Sequence, residues 1–472
     1  MPELKRSLNL FDTVMLVSGS MIGSGIFIVS ADMMRVLQSP FWVLICWLLS
    51  GFITILAALS YGELAGMMPD AGGQFIYIKR AFGKLTSFVY GWTVFTVIQT
   101  GVIAAVAVAF ARFTSVLFPV FDEHHILFYA GKFSVSAQQV LAVLSILALS
   151  YLNSMGIRNG QSIQRVFTSA KLLSLLGLIV LGFSIGYARQ HWQQNLQINP
   201  YPAQGPAQGS WMLWLGAIGV ALIGSLFSSD AWNNVTFIAG EIKQPQRNIP
   251  LGLVIGVCLV TVLYILANVA YFMLLPAMGS PEGHTVLERG IAYARNDRVG
   301  TAAIFTIFGN AAEVFMAVLI MISTFGCNNG LILAGARLFK SMADEKLFFP
   351  LASRLNSKQV PSNAIWLQAL WASVLCLSGS YSALLDYCTF ASLVFYIITI
   401  FALFKLRRSA PTAHRPYKAL AYPVLPALYI LLASGVCISL ICMKTSNTLL
   451  GILIMALGLP VYMIFTRQKH VA

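Results

Sequence analysis

The sequence predicts an all-α polytopic membrane protein of about twelve transmembrane helices. Three observations carry that prediction. Hydrophobic residues make up 58% of the 472-residue chain and charged ones only 10%, whereas soluble domains carry about 25% charged residues. The mean hydropathy is +0.78, and apolar runs of roughly 20 residues, enough to cross a hydrocarbon core, recur from end to end. These runs are continuous and lack the alternation of barrel strands, so helices are the only spanning elements that satisfy every backbone group internally.

The spans are placed near 9–36, 41–67, 84–115, 137–153, 163–187, 212–240, 250–276, 310–338, 363–380, 384–405, 420–443 and 446–466. No cleaved leader is expected, because Met1–Ser7 is short and basic and no small-residue cleavage pattern follows the first apolar run. Most basic residues fall on one side of this layout, among them Lys5, Arg6, Lys79, Arg165, Arg337, Arg407, Arg415 and Lys469. Far fewer fall on the other, chiefly Arg35, Arg112, Lys132, Arg189, Arg289, Arg295, Arg298 and Lys444. By the positive-inside rule both termini are then cytoplasmic, in a cell's inner (plasma) membrane. The net charge of +14 is accordingly a topology signal. Spread over many short loops, it does not make a nucleic-acid surface.

The seven cysteines all lie in apolar stretches without a C-x-x-C pair, and the six histidines lie in loops or tails. Packing accounts for the cysteines, and no metal site, cofactor or disulfide framework is expected. The spans also lack a nucleophile–base pair, so an enzyme is not expected. Two segments, Gly72–Gly83 and Gly279–Gly309, read as re-entrant or surface helices. Glu63 and Glu313 fall near span ends, where solvation is expected to accommodate them.

The first span carries Gly19, Gly23 and Gly25 among Ser18, Ser20 and Ser24. Glycine costs about 1 kcal/mol relative to alanine inside a helix, so this cluster reads either as an unwound stretch or as a close helix contact. The sixth span repeats the interruption with Phe227-Ser228-Ser229-Asp230-Ala231-Trp232-Asn233-Asn234. Two interrupted spans, each opening a set of five, are the mark of an inverted-repeat transporter with both helices unwound at mid-membrane. The expected units are 1–190 and 191–410 as the two repeats, with 411–472 holding two extra helices and a tail. Free N–H groups at such a break attract an anion and free carbonyls a cation, so the site suits a zwitterion such as an α-amino acid.

Two ionisable residues stand out at membrane depth. Lys171 in the fifth span has no acid within a helical turn; it either snorkels or replaces a bound cation on the carbonyls of the first break. Asp230 has four roles open to it: pairing with Lys171, binding the substrate amine, titrating, or capping the second half-helix.

Five segments carry a resemblance: GSMIGSGIF (19–27), MPDAGGQFIYIKRAFG (68–83), SSDAWNNVTFIAGEIKQPQRNIP (228–250), STFGCNNGLILAGARLF (323–339) and RPYKALAYPVLPALYI (415–430). Together they resemble the amino acid–polyamine–organocation superfamily, closest to its L-type amino acid transporters, over essentially the whole chain. The resemblance implies two inverted five-helix repeats plus two helices, and alternating access around a central site. It implies that Gly23, Ser24 and Gly25 hold the substrate carboxylate. Met21 and Ile22 would receive the amine with carbonyls near Phe227, Ser228, Ser229 and Asp230, Phe227 acting as an aromatic gate. It places Lys171 where sodium-coupled relatives hold an ion. The chain departs from the pattern at Ser228-Ser229-Asp230-Ala231, where A-Y-D-G is usual, and at Ser392-Leu393, where animal members often have Asn-Trp. The loop 118–136 has no cysteine, so no disulfide-linked heavy subunit is expected, and a monomer is the simplest assembly.

The expected function is sodium-independent transport of neutral L-amino acids by exchange. Alternatives are a proton- or sodium-coupled symporter, with Ser323 and Thr324 as ion-site hydroxyls, a carrier of cationic amino acids or polyamines, and a transporter-like nutrient sensor.

Overall fold

The computed structural model describes residues 6–130, 133–198, 211–378 and 381–467. Lys5, Lys132 and Lys469, counted above as loop charges, and the ends of the 363–380 span and of the 411–472 unit lie outside them. The chain opens with α1 (Leu10–Met21), α2 (Gly25–Leu37), α3 (Pro40–Met67) and α4 (Gln74–Phe82). Next come α5 (Lys84–Thr93), a π-helical turn (Val94–Ile98) and α6 (Gln99–Leu117), which together form one span. A hairpin of β1 (Ile126–Ala130) and β2 (Phe133–Ser136) leads into α7 (Ala137–Ser154), α8 (Ile157–Gly186) and the short α9 (His191–Leu196). The second half holds α10 (Trp211–Ser228), α11 (Asn234–Phe237), α12 (Pro245–Leu274), α13 (Val286–Arg289), α14 (Val299–Phe308) and α15 (Ala311–Asp344). It ends with α16 (Ser362–Ser378), α17 (Tyr381–Ser409), α18 (Val424–Met443) and α19 (Thr445–Arg467).

Among the described residues nine helices are long and apolar enough to span a membrane, ten with the α1–α2 pair counted as one. Two shorter apolar stretches, Trp214–Ser228 and Ser362–Leu377, stand at the positions of the sixth and ninth expected spans. Apolar side chains such as Leu173, Leu370, Leu431 and Met463 are exposed around the outside, which is where lipid replaces water as solvent. Polar side chains such as Gln99, Asn153 and Asn268 are instead buried between the helices.

Several boundaries differ from the expectation for local reasons. α12 begins at Pro245, which occupies the first helical turn where a missing N–H costs nothing, so the helix precedes Pro250. α15 runs past the expected end at 338 to Asp344, and Arg337, counted above among the basic residues of one side, is buried against Glu241 at 2.9 Å. The hairpin and α9 are absent from the expectation, since each is too short to show a period in the sequence.

Glu63 corrects a second expectation. Its side chain is 0% exposed rather than solvated. It accepts from Arg407 Nε (2.9 Å) and Nη2 (2.5 Å), from Arg415 Nε (3.1 Å) and from the Ala419 N–H (2.7 Å). Arg407 also stacks 3.8 Å above the Tyr422 ring. One carboxylate thus fastens α3 to the end of α17 and to the loop before α18. Glu313, by contrast, is exposed as expected.

Glu63→Ala leaves two guanidinium groups facing an empty pocket. Removing one partner of a buried pair costs about 3–5 kcal/mol, and partial exposure of Arg407 (22%) puts this case at the lower end. Reversible unfolding of the purified variant, compared with the parent chain, checks it.

Candidate functional site

The site is built where the first span stops. α1 starts on a reciprocal cap, with Asn9 Oδ1 accepting from Asp12 N–H (2.9 Å) and Asp12 Oδ2 from Asn9 N–H (3.1 Å). It ends at Met21, Ile22 turns extended (ψ 97°), and α2 resumes at Gly25 with a 42° bend. The break frees the last carbonyls of α1, and in a water-poor interior each needs a donor from elsewhere.

Three neighbouring helices supply them. The Lys171 ammonium, on α8 and only 2% exposed, donates to Gly19 O and to Ile22 O (2.7 Å), with Ser323 O at 3.5 Å. Cys327 of α15 donates to Ser20 O (3.0 Å). Ser323 Oγ lies 3.2 Å from Ile22 O and 3.3 Å from Gly23 O. The Tyr264 hydroxyl of α12 lies 3.1 Å from Met21 O and 3.0 Å from Ser228 O, so it joins the two interrupted spans. Lys171 lies among carbonyls and is not in an ion pair with Asp230, which corrects one of the four roles considered for that acid.

The second interruption comes at the end of α10. Ser229 N–H bonds Ser225 O (3.0 Å) and Asp230 N–H bonds Phe227 O (3.1 Å), after which Ala231 takes a left-handed φ of +64°. An L-residue with a side chain is strained there by about 1–2 kcal/mol. The next helix, α11, is a single turn rather than a second half-helix. Its N-cap is Asn233, so capping by Asp230 is also corrected. Asp230 instead accepts from Tyr396 Oη (2.5 Å) and Ser392 Oγ (3.3 Å) of α17.

That contact opens a longer polar network. Tyr396 Oη lies 3.1 Å from Asn233 Oδ1, and Asn233 Nδ2 donates to Gln74 Oε1 (2.9 Å). Tyr90 Oη donates to the same oxygen (3.0 Å), while Gln74 Nε2 donates to Thr399 Oγ1 (2.9 Å) and Phe395 O (3.1 Å). Rings of Tyr61, Trp232 and Tyr396 pack together with centroids 4.8 to 5.9 Å apart. Two cavities of about 20 Å³ each flank Asp230, Ser392 and Tyr396, each with room for about one water.

The other expected residues are more dispersed. Ser24 and Ser228 are buried, and Ser228 Oγ donates to Gly224 O (2.7 Å). Ser229 lines one of the small cavities, and Phe227 is half-buried against the core. Thr324 does not meet the break: its hydroxyl is held by Ile320 O (2.7 Å) and Met321 O (3.1 Å) of its own helix. Tyr264, Tyr396, Gln74 and Cys327 are not among the residues the sequence points to. Tyrosines in apolar spans are ordinary packing residues by sequence, and only the fold reveals which hydroxyl reaches a freed carbonyl.

Both ends of the interrupted helix are fastened. At the α1 end, Ser7 and Leu8 N–H bond Glu241 O (2.8 and 3.0 Å), Lys243 N–H bonds Leu8 O (2.7 Å), and Arg165 holds Asp12 at 2.6 Å. At the α2 end, Arg35 holds Asp297 at 2.6 Å and donates to Ala292 O at 2.8 Å.

A bundle of spanning helices with two interrupted spans packed against each other, and their free backbone groups turned inward, defines a membrane carrier. Its likeness to known proteins makes this particular. The amino acid permease family matches residues 8–465, and the chain belongs to that family. It is 28% identical to the human b(0,+)-type amino acid transporter 1 over 99% of this chain and 89% of that one. It is 27% identical to the serine/threonine exchanger SteT of Bacillus subtilis (strain 168), over 99% and 98%. The human large neutral amino acids transporter small subunit 2 is also 27% identical, over 99% and 82%.

The closeness of the two interruptions gives a test. A Cβ on Gly25 would lie 2.1 Å from Ser228 Oγ and 3.2 Å from its Cα, whereas one on Gly23 would meet only Cys327 Sγ, at 3.7 Å. Gly25→Ala is expected to lose about 1–3 kcal/mol as overpacking, and Gly23→Ala to stay near the parent. Thermal unfolding of the two purified variants distinguishes them.

Proposed function

We propose that this protein exchanges neutral L-amino acids across the membrane by alternating access, without sodium. The observation that carries the proposal is the Lys171 ammonium, seated on carbonyls freed by the first break. A fixed positive charge there does the electrostatic work of a bound cation, and no ion need accompany the substrate. The substrate carboxylate takes the N–H end of the break at Gly23, Ser24 and Gly25, where the helix dipole favours an anion.

The amine needs carbonyl lone pairs, and each oxygen has two. Ile22 O already faces Lys171 and Ser323. The amine therefore falls to Met21 O and to the second interruption around Phe227, Ser228, Ser229 and Asp230, with Phe227 closing over it. Relatives named as an exchanger and as a transporter of large neutral amino acids support both halves of the reading. We place the repeats at 1–190 and 191–410, with 411–472 as the added helices. Both termini are cytoplasmic in a plasma membrane, and the chain works alone, with no disulfide-linked subunit. The contacts at the two ends of the first span are then the inner and outer closures, which open alternately.

A second reading has one observation in its favour. Asp230 receives hydroxyl donors but no cation within 4 Å among the described residues, so it is placed to carry a proton with the substrate.

Purified protein in liposomes decides between them. Uptake of labelled amino acid is expected to rise several-fold when unlabelled neutral amino acid is loaded inside, and to ignore sodium and pH gradients. Dependence on a proton gradient supports the second reading, and dependence on sodium contradicts both. Ser24→Leu is expected to lose uptake under every condition, because a branched side chain fills the carboxylate end of the break.

A further inference from the structure

The face of the molecule opposite the N terminus holds a cavity of about 750 Å³, far larger than the spaces around Asp230 and within the range of small-molecule sites. Its walls come from the end of α6, the segment following it, the loop carrying α13, and the starts of α14 and α15. It is separate from Gly23–Gly25 and from Asp230, none of which lines it.

The charges in this cavity are only partly compensated, three arginines facing two carboxylates. Arg289, Arg295 and Arg298 line it together with Asp122 and Glu313, yet none of the three arginines forms an ion pair within 4 Å among the described residues. Arg289 spends its Nε on Gly283 O (2.7 Å). Its neighbour Glu288 is turned back onto the loop, accepting from His284 N–H (2.7 Å) and Thr285 N–H (3.2 Å), donors that hold its carboxyl below the usual range.

Arg298 is the most telling of them. Its guanidinium lies 5.1 Å over the Phe113 ring and reaches Arg112 O at 3.4 Å, while its buried Nε has no hydrogen-bond partner. A buried donor left unmade costs about 1–3 kcal/mol, more for a charged group. Burial, followed by the charge of Arg112, pushes the Arg298 guanidinium below its ordinary value; Glu313 opposes this, Arg295 adds to it and Asp122 opposes it least. A guanidinium with a donor to spare, in the field of Arg112 and Arg295, is stabilised by an anion beside it.

We propose that this cavity is an anion-binding site for a small carboxylate or phosphate group, held by Arg298 and Arg295 with Arg289 at the rim. A guanidinium fork matches either oxyanion. Two sources share this chemistry: the carboxylate of an amino acid waiting outside the closed carrier, and a free inorganic anion. Only the first rests on the transport reading above; the site itself does not.

Calorimetric titration of the purified full chain with sodium acetate, and separately with inorganic phosphate, in sodium chloride of matched ionic strength, tests the site. Binding is expected in the parent and in Ser24→Leu, weakened at least ten-fold in Arg295→Gln/Arg298→Gln, and partly kept in Arg298→Lys. Glu313→Gln, which removes a repelling charge at an exposed position, is expected to tighten binding and guards against a folding defect in the arginine pair. Competition by L-alanine in Ser24→Leu assigns the site to a waiting amino acid. Phosphate binding without such competition assigns it to an inorganic anion. No binding of either probe to the parent overturns the proposal, as does binding that neither the arginine pair nor Glu313→Gln alters.

Discussion

A helix interrupted inside a bilayer exposes carbonyls that bulk water cannot reach, and the rest of this molecule is arranged around answering them. Lys171 answers two, at Gly19 and Ile22, and the hydroxyls of Tyr264 and Ser323 and the thiol of Cys327 answer the others. The donors come from α8, α12 and α15, so the first break acts as a hub on which three helices converge. An unpaired ammonium at this depth would be costly. Lying among carbonyls, it stabilises a backbone shape that an uninterrupted helix could not offer to a ligand.

The second interruption is held by different chemistry. Asp230 draws on hydroxyls of α17, and through Tyr396 and Asn233 it joins Gln74 of α4 and Tyr90 of α5. Tyr264 connects the two halves, since one hydroxyl touches Met21 O and Ser228 O. Further away, Glu63 binds α3 to α17 with two arginines, tying the end of the helix that carries Tyr396 to a neighbouring span.

Much of this is legible in the sequence because membranes punish exceptions. Glycine clustered with serine at Gly19–Gly25 and polar residues at Phe227–Asn234 contradict a lipid-facing helix, so both interruptions stand out. Lys171 stands out for the same reason. Pairing between distant segments stays hidden. Sequence position puts Glu63 and Arg337 at span ends, where water is the simplest partner, but the fold brings Arg407, Arg415 and Glu241 to them. Charge alone suggests a cationic partner for Asp230, whereas its actual donors are neutral hydroxyls 162 and 166 residues along the chain. Thr324 resembles Ser323 by type, yet one residue turns a helical side chain by about 100°, enough to send its hydroxyl to its own backbone.

The central claim is that the Lys171 ammonium acts as a built-in cation on the first break, and chemical rescue tests it most directly. In Lys171→Ala the carbonyl cradle is left without its charge. Thermal unfolding and amino acid exchange of that variant should both be impaired and should recover in part when methylammonium or sodium is added, while the parent chain stays indifferent to either. A Lys171→Ala protein that is as stable and as active as the parent without any added cation would contradict the account.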